Sequence, residues 1–202
     1  TSGTTGKGKG VMLNQTAVLS DMTDITPYID FADKTVSVLP PHHTYGSTVM
    51  LVGHAMIGTE IYISSGIRYV QRELKEQKPG HLVLVPLYLE TFYRKIWANI
   101  KNQGKEKLIK RMIKLSNGLR KVGIDLRKVF FKEIQDAFGG NMRLIICGAA
   151  PIRPEILRDF EAFGIQILFG YGLTECAPLA VMNNDKLHLA ESVGLALPGT
   201  QA

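Results

Sequence analysis

Cysteine and tryptophan are scarce in this chain, and no long apolar run exists; each shortage narrows what the protein can be. Two cysteines, Cys147 and Cys176, are too few for a disulfide-stapled scaffold and lack the second pair that a thiolate metal centre needs. No stretch reaches the roughly eighteen apolar residues that a membrane-spanning helix requires. The chain starts at Thr1 with no basic-then-apolar leader ahead of its first loop, so no signal peptide is expected in this stretch. Internal repeats, low-complexity tracts and linkers are missing too. What remains is ordinary globular composition, 45% hydrophobic and 21% charged over 202 residues, enough for one domain or two small ones with a real core. Cys147 ends an apolar run and reads as core. Cys176 reads as a free intracellular thiol beside a loop, with a nucleophilic role as the alternative.

Acidic residues are scarce in one place above all. Residues 92–132 hold 13 Lys or Arg against only Glu106 and Asp125, a local excess of +11 that leaves −5 for the rest of a chain whose net charge is +6. Leu108, Met112, Leu115, Leu119 and Val122 recur there at three- and four-residue steps, the mark of one apolar helix face. Lysines and arginines decorate the remainder. A solvated helix packed by that face on the core is the plainest account. Contact with anionic lipid headgroups, or attraction of anionic small molecules, are the functional ones. No aromatic platform is interleaved with the lysines, so nucleic acid is not an expected partner.

Elsewhere strand and helix signals alternate. Short β-rich or apolar runs at Thr35–Leu39, Glu60–Ile63, His81–Val85, Met142–Cys147 and Gln166–Phe169 are separated by helical patterns. Those patterns lie at Ser47–Ile57, Ile67–Gln77, a long region from Pro86 to about residue 136, and Pro154–Phe163. Val11-Met12-Leu13 reads as a further strand. This alternation predicts an α/β fold, a mainly parallel β-sheet flanked by helices. In such sheets ligands gather where loops leave the carboxyl ends of strands.

Two polar, glycine-rich loops are the chemical signals. The first is Thr1-Ser2-Gly3-Thr4-Thr5-Gly6-Lys7-Gly8-Lys9-Gly10. Its glycines let the backbone curl, its hydroxyls and amides can face phosphate oxygens, and its lysines supply positive charge. A flexible glycine-rich terminus is the bland alternative. A Walker-type loop is the sharp one, but that pattern needs Ser or Thr after its lysine to meet magnesium, and Gly10 stands there.

The second loop is Gly170-Tyr171-Gly172-Leu173-Thr174-Glu175, which follows a predicted strand. Tyr171 can stack on a purine, Thr174 can donate to a phosphate, and Glu175 can help hold Mg²⁺ against phosphate oxygens. Between them, Gly148-Ala149-Ala150-Pro151 follows the Met142–Cys147 strand, where small residues suit a close approach to a flat ring. Pro41-His42-His43-Thr44-Tyr45-Gly46 follows the Thr35–Leu39 strand. Its paired histidines lack further partners at metal-ligand spacing.

In this order and spacing the motifs resemble those of the adenylate-forming superfamily of acyl-CoA synthetases, luciferases and peptide-synthetase adenylation domains. Residues 1–6 and Lys9-Gly10 match that family's phosphate loop, with Gly8 where the family usually has proline. Residues 148–151 resemble its adenine-pocket segment and residues 170–175 its adenylate loop. His43 matches its aromatic-and-histidine motif, and Ser192-Val193-Gly194 through Pro198-Gly199 resembles its next glycine motif. The extended helical stretch running through Phe130-Phe131 to Phe138-Gly139-Gly140 resembles long-chain fatty-acyl-CoA synthetases in particular.

The resemblance implies ATP-dependent activation of a long-chain fatty acid to acyl-AMP and then acyl-CoA, with ATP and CoA as co-substrates and Mg²⁺ as the metal. It implies phosphate contacts from Thr1, Ser2, Gly3, Thr4, Thr5, Gly6 and Lys9. Adenine contacts would come from Gly148, Ala149, Ala150, Pro151, Gly170, Tyr171 and Gly172, the α-phosphate contact from Thr174 and the metal contact from Glu175. His43 would stand near the carboxylate. It further implies that residues 1–202 are one central piece of a larger AMP-binding domain, without the C-terminal lid and so without turnover of its own. A cytoplasmic enzyme, peripheral at the inner face of the membrane through residues 92–132 and dimeric as the parent, completes these expectations. An aryl, short-chain or amino-acid substrate, or a non-catalytic nucleotide-binding domain, stays open as the alternative.

Overall fold

Four-residue strands buried from end to end set the architecture. In the computed structural model, which describes residues 8–200, His81–Leu84 (β3) and Leu144–Cys147 (β4) are buried at every position. They lie inside a seven-stranded sheet of order β2-β1-β3-β4-β5-β6-β7. The other strands are Lys34–Ser37 (β1), Glu60–Ile63 (β2), Gln166–Gly172 (β5), Leu179–Met182 (β6) and Leu195–Ala196 (β7). The first five strands of this row pair in parallel; β6 and β7 return antiparallel. A parallel sheet covered on both faces needs apolar residues at consecutive positions, which explains runs such as Leu-Ile-Ile-Cys.

Alternation along these strands divides two cores. Leu82, Leu84, Ile145, Cys147 and Ile167 face one layer of helices: Val70–Gln77 (α3), Pro86–Asn102 (α4), Glu106–Arg120 (α5), Arg127–Phe130 (α6), Lys132–Ala137 (α7) and Pro154–Ala162 (α8). Phe92, Phe131, Phe138, Phe160 and Phe163 fill that layer. Val83, Leu144, Ile146 and Leu168 face the other side, where Gln15–Ile25 (α1) and Tyr45–Gly53 supply Met22, Ile25, Val49 and Met50. Pro86 and Pro154 open α4 and α8, where a missing N–H costs nothing.

Several elements differ from what the pattern predicts. Val11-Met12-Leu13 forms no strand; Asn14 instead caps α1, its side chain accepting from Ala17 N–H at 2.8 Å. The helix expected over 47–57 is wound wider, as a π-helix over Tyr45–Gly53 that tightens into a short α-helix at His54–Met56 (α2). The long helical region divides into α4 to α7. Within α5 the expected apolar face is only partly the packed one. Ser116 is fully buried and Ile109, Met112 and Ile113 meet the core, while Leu108, Leu115 and Val122 are exposed.

One buried polar chain ties the π-helix to the sheet. Ala32 N–H donates to His81 Nδ1 at 3.2 Å, which places the His81 proton on Nε2. That Nε2–H donates to His54 Nε2 at 2.7 Å, and His54 Nδ1–H donates to Val49 O at 2.7 Å. Every nitrogen is satisfied only when both rings are neutral. Phe31 packs edge-on against both rings. Burial lowers the pKa of each, and for His81 the nearby His54 and Arg143 charges take it to about 3. Unfolded histidines bind protons near pH 6.5, so stability from this pair is complete above that value and is lost as pH falls toward 3. The midpoint temperature measured from pH 7 to pH 4 is expected to fall steeply in the wild type. The slope should be distinctly shallower in His54→Phe/His81→Phe; equal slopes would show that the pair is protonated in the folded state.

Candidate functional site

The carboxyl ends of β1, β4 and β5 lie on one edge of the sheet, and the three loops leaving them enclose a cavity of about 590 Å³. That size is typical of small-ligand sites. From β1 the chain turns at Pro40-Pro41 into His42, His43, Thr44 and Tyr45, all of which line the space. His43 Nδ1 accepts from Tyr45 N–H at 3.1 Å, so its proton sits on Nε2, and the ring is exposed. The turn admits only glycine at position 46, because a Cβ there would lie 2.2 Å from Pro40 O.

Tyr45 is buried and forms part of the floor. Its hydroxyl stands 3.4 Å from both Leu84 O and Ile146 O, at the ends of β3 and β4. Burial pushes its pKa well above the usual phenol value, with the Cys147 charge adding to the rise. Cys147, also on the wall, is raised to about 12 by burial, so it is a thiol and not a thiolate at neutral pH. Gly148 and Ala149 follow it on the cavity wall. Ala149 has φ 77, a left-handed conformation that costs a non-glycine residue energy and is held by its surroundings.

From β5 come Gly170, Gly172, Leu173, Thr174 and Glu175, all on the wall. Gly172 is forced by contact: a Cβ would lie 1.8 Å from Pro178 O, where the returning strand β6 crosses. Thr174–Cys176 makes a single 3₁₀ turn, closed by Cys176 N–H donating to Leu173 O at 2.9 Å. Glu175 is exposed, and its carboxylate has no ion-pair partner among the described residues.

The structure thus brings His43, Gly148, Ala149, Gly170, Gly172, Thr174 and Glu175 to one cavity. Tyr171 is beside it rather than on its wall, and the residue is 56% exposed. Ala150 and Pro151 are exposed just beyond Ala149, and Lys9 is exposed on the segment leading to α1. Thr1, Ser2, Gly3, Thr4, Thr5 and Gly6 lie outside the described residues.

Sequence reasoning missed Asp21, which joins the two loop systems. It sits on α1, 5% exposed, and its Oδ2 accepts from Leu179 N–H at 3.2 Å, across 158 residues. Leu179 starts β6, straight after the 173–178 loop, and Ile25 of the same helix lines the cavity. Burial raises the Asp21 carboxyl to about 7, with Asp24 adding repulsion and the Leu179 N–H opposing the rise. No pattern pointed to Asp21, because α1 has no clear apolar period.

A family model described as "AMP-binding enzyme" matches residues 1–202. The long-chain-fatty-acid–CoA ligase 6 of Mus musculus is 29% identical over 210 residues, which cover 98% of this chain and 30% of that protein. The long-chain-fatty-acid–CoA ligase 1 of Cavia porcellus is 30% identical over 213 residues, with the same two coverages. The chain therefore spans about 30% of the length of these curated relatives. Among solved structures, ATP-bound MatB from Rhodopseudomonas palustris superposes with a TM-score of 0.68 at 25% identity, over 98% of this chain and 33% of that one. The o-succinylbenzoate CoA synthetase of Bacillus subtilis, in complex with its acyl-adenylate intermediate, shares the fold with a TM-score of 0.68 at 17% identity, over 98% and 34%.

The Asp21 contact gives a testable pH dependence. A carboxyl raised from 3.8 to about 7 on folding holds its proton in the folded state, so its contribution is most favourable below pH 3.8 and is lost as pH rises through 7. Asp21→Asn keeps an acceptor for Leu179 N–H without a buried charge. Its melting temperature should exceed the wild type by several degrees at pH 8, at about 2–4 °C per kcal/mol for a chain of this size, and the gap should close at acid pH. A variant less stable than wild type at pH 8 would mean that the ionised carboxylate is the favoured form.

Proposed function

The chain belongs to the AMP-binding enzyme family, and from that premise we propose that the protein carrying it activates a long-chain fatty acid with ATP. In the first step a carboxylate oxygen attacks the α-phosphorus and the bond to the β-phosphate oxygen breaks, giving acyl-AMP and pyrophosphate. In the second, the CoA thiol gives up its proton to solvent, its sulfur attacks the acyl carbonyl carbon and AMP leaves with the bonding electrons. The convergence of His43, Gly148-Ala149, Thr174 and Glu175 on one cavity carries this reading. The long-chain assignment rests on the ligases that match at 29–30% identity across nearly the whole chain.

Each residue then has a task that its chemistry suits. Gly148-Ala149 and Gly170 present backbone to the adenine, flanked by Ala150-Pro151 and the Tyr171 ring. Thr174 donates to the α-phosphate, and Lys9, with the hydroxyls and amides of residues 1–6, holds the β- and γ-phosphates. His43, with a proton on Nε2, faces the developing charge near the carboxylate. Mg²⁺ fits as an ion shared with substrate phosphates, since the described residues hold no cluster of three ligating side chains and Glu175 offers one free carboxylate. When bound it would neutralise phosphate charge. Catalysis would then come from orientation and from charges placed in advance, with no covalent protein intermediate.

The test is acid-dependent exchange of labelled pyrophosphate into ATP by the full-length protein, with palmitate, octanoate and benzoate compared. Palmitate is expected to support exchange, and Glu175→Ala to reduce it on the order of a hundredfold, the scale of losing one transition-state charge contact. Exchange with benzoate or octanoate alone would keep the chemistry and replace the substrate. No exchange with any acid would leave a non-catalytic nucleotide-binding domain.

A further inference from the structure

The apolar surface of helix α5 is only partly packed. Ile109, Met112, Ile113 and the fully buried Ser116 face the core. Beside that packed face Leu108, Leu115 and Val122 are 53%, 56% and 72% exposed. Their seven-residue spacing is close to two helical turns, so they form one line along the helix and its end. Ile124 and Val129, the latter 69% exposed, continue the patch toward α6.

Cations flank that line. Lys107, Arg111, Lys114, Lys121 and Lys128 are all exposed, and none has an acidic partner among the described residues. Lys110, Lys132 and Arg127, by contrast, are paired with Glu106, Asp136 and Asp125. A helix that is simply solvated has no use for five uncovered aliphatic side chains in one patch. Nucleic acid would pair with the cations but would gain nothing from leucine and valine, and no exposed aromatic accompanies them. An anionic bilayer rewards both features together: headgroups attract the cations while aliphatic side chains enter the acyl boundary.

The apolar contact also continues inward. Leu108 and Val129 form the edge of a groove of about 660 Å³ between α4, α5 and the 129–138 segment, floored by Phe92, Ile100 and Phe138. Lys95, Lys105 and Lys132 stand on its wall. This groove lies in the helical layer of the first core, whereas Ile25 and Val49 on the wall of the candidate site belong to the second.

We infer that the α5–α6 face is a docking surface for an anionic lipid bilayer, with the Leu108–Leu115–Val122 line inserted and the five free cations on the headgroups. The surface works independently of the reaction proposed above, and its test contains no ATP or acid.

Sedimentation of the full-length protein with phosphatidylcholine vesicles, and with vesicles of phosphatidylcholine plus phosphatidylglycerol, decides the matter. Binding is expected to the mixed vesicles and not to the neutral ones, weakening as salt screens the charges. Lys107→Gln/Arg111→Gln/Lys114→Gln should weaken it by roughly tenfold or more, each cation near an anionic surface being worth about a factor of five. Leu115→Ser/Val122→Ser should weaken it by roughly tenfold as well, at unchanged melting temperature, because both side chains are already in water. Equal binding to both vesicle types, no binding to either, or wild-type binding by either variant overturns the inference. So does binding to polyuridylate RNA in place of vesicles.

Discussion

Parallel pairing is the constraint from which the rest of the structure follows. β1, β3, β4 and β5 run in one direction, so each strand can be reached only by a crossover that carries the chain back over a face of the sheet. Two consequences come at once. Both faces become covered, which is why β3 and β4 are apolar at successive positions and feed two separate cores. All the carboxyl ends fall on one edge, which is why His43, Gly148 and Glu175, far apart in sequence, meet at one cavity. The antiparallel return of β6 then bends the 173–178 loop back over that edge.

Close backbone approach makes this edge a site and not merely a rim. Gly46 and Gly172 are each pressed against a proline carbonyl, leaving no room for a side chain. The motif glycines in the histidine turn and the second loop are thus packing requirements first. Their functional consequence is indirect: they let two loops stand close enough for small residues and a few polar groups to face the same ligand. Asp21 extends the same logic. Through its bond to Leu179 N–H, the helix that follows the first glycine-rich loop is fastened to the exit of the second.

Legibility in the sequence followed burial. The central strands β3 and β4 could be read because burial on both faces leaves consecutive apolar letters, and Leu144–Cys147 is the clearest instance; β1 and β2 showed instead through short β-prone runs. The loops after β1, β4 and β5 could be read because their chemistry is local. Helix α1 could not: it buries only Asp21, Met22 and Ile25, and one of these is a carboxylate. The π-winding of Tyr45–Gly53 is invisible to a pattern that tests for 3.6-residue periods. β6 and β7 are short, half-exposed strands without a clean alternation. In α5 the period was read correctly but its meaning only in part. A helix with a wide apolar arc does not announce which part of it meets the core, and here the buried Ser116 marks it.

Electrostatics separates the interior from the rim and bears on the kind of chemistry this edge can support. Around the floor the ionisable groups are held neutral. Burial keeps Cys147 a thiol and Tyr45 a phenol. A low-dielectric floor without a thiolate or phenolate offers no activated nucleophile of its own. Among the described residues of the cavity wall, polar side chains reach solvent where the loops emerge, at His43 and Glu175, both exposed. Groups placed this way can orient a bound ligand from the rim while the floor stays chemically inert. That division of labour is the one the proposed reaction needs, in which the bond changes pass between two bound substrates and not through the protein.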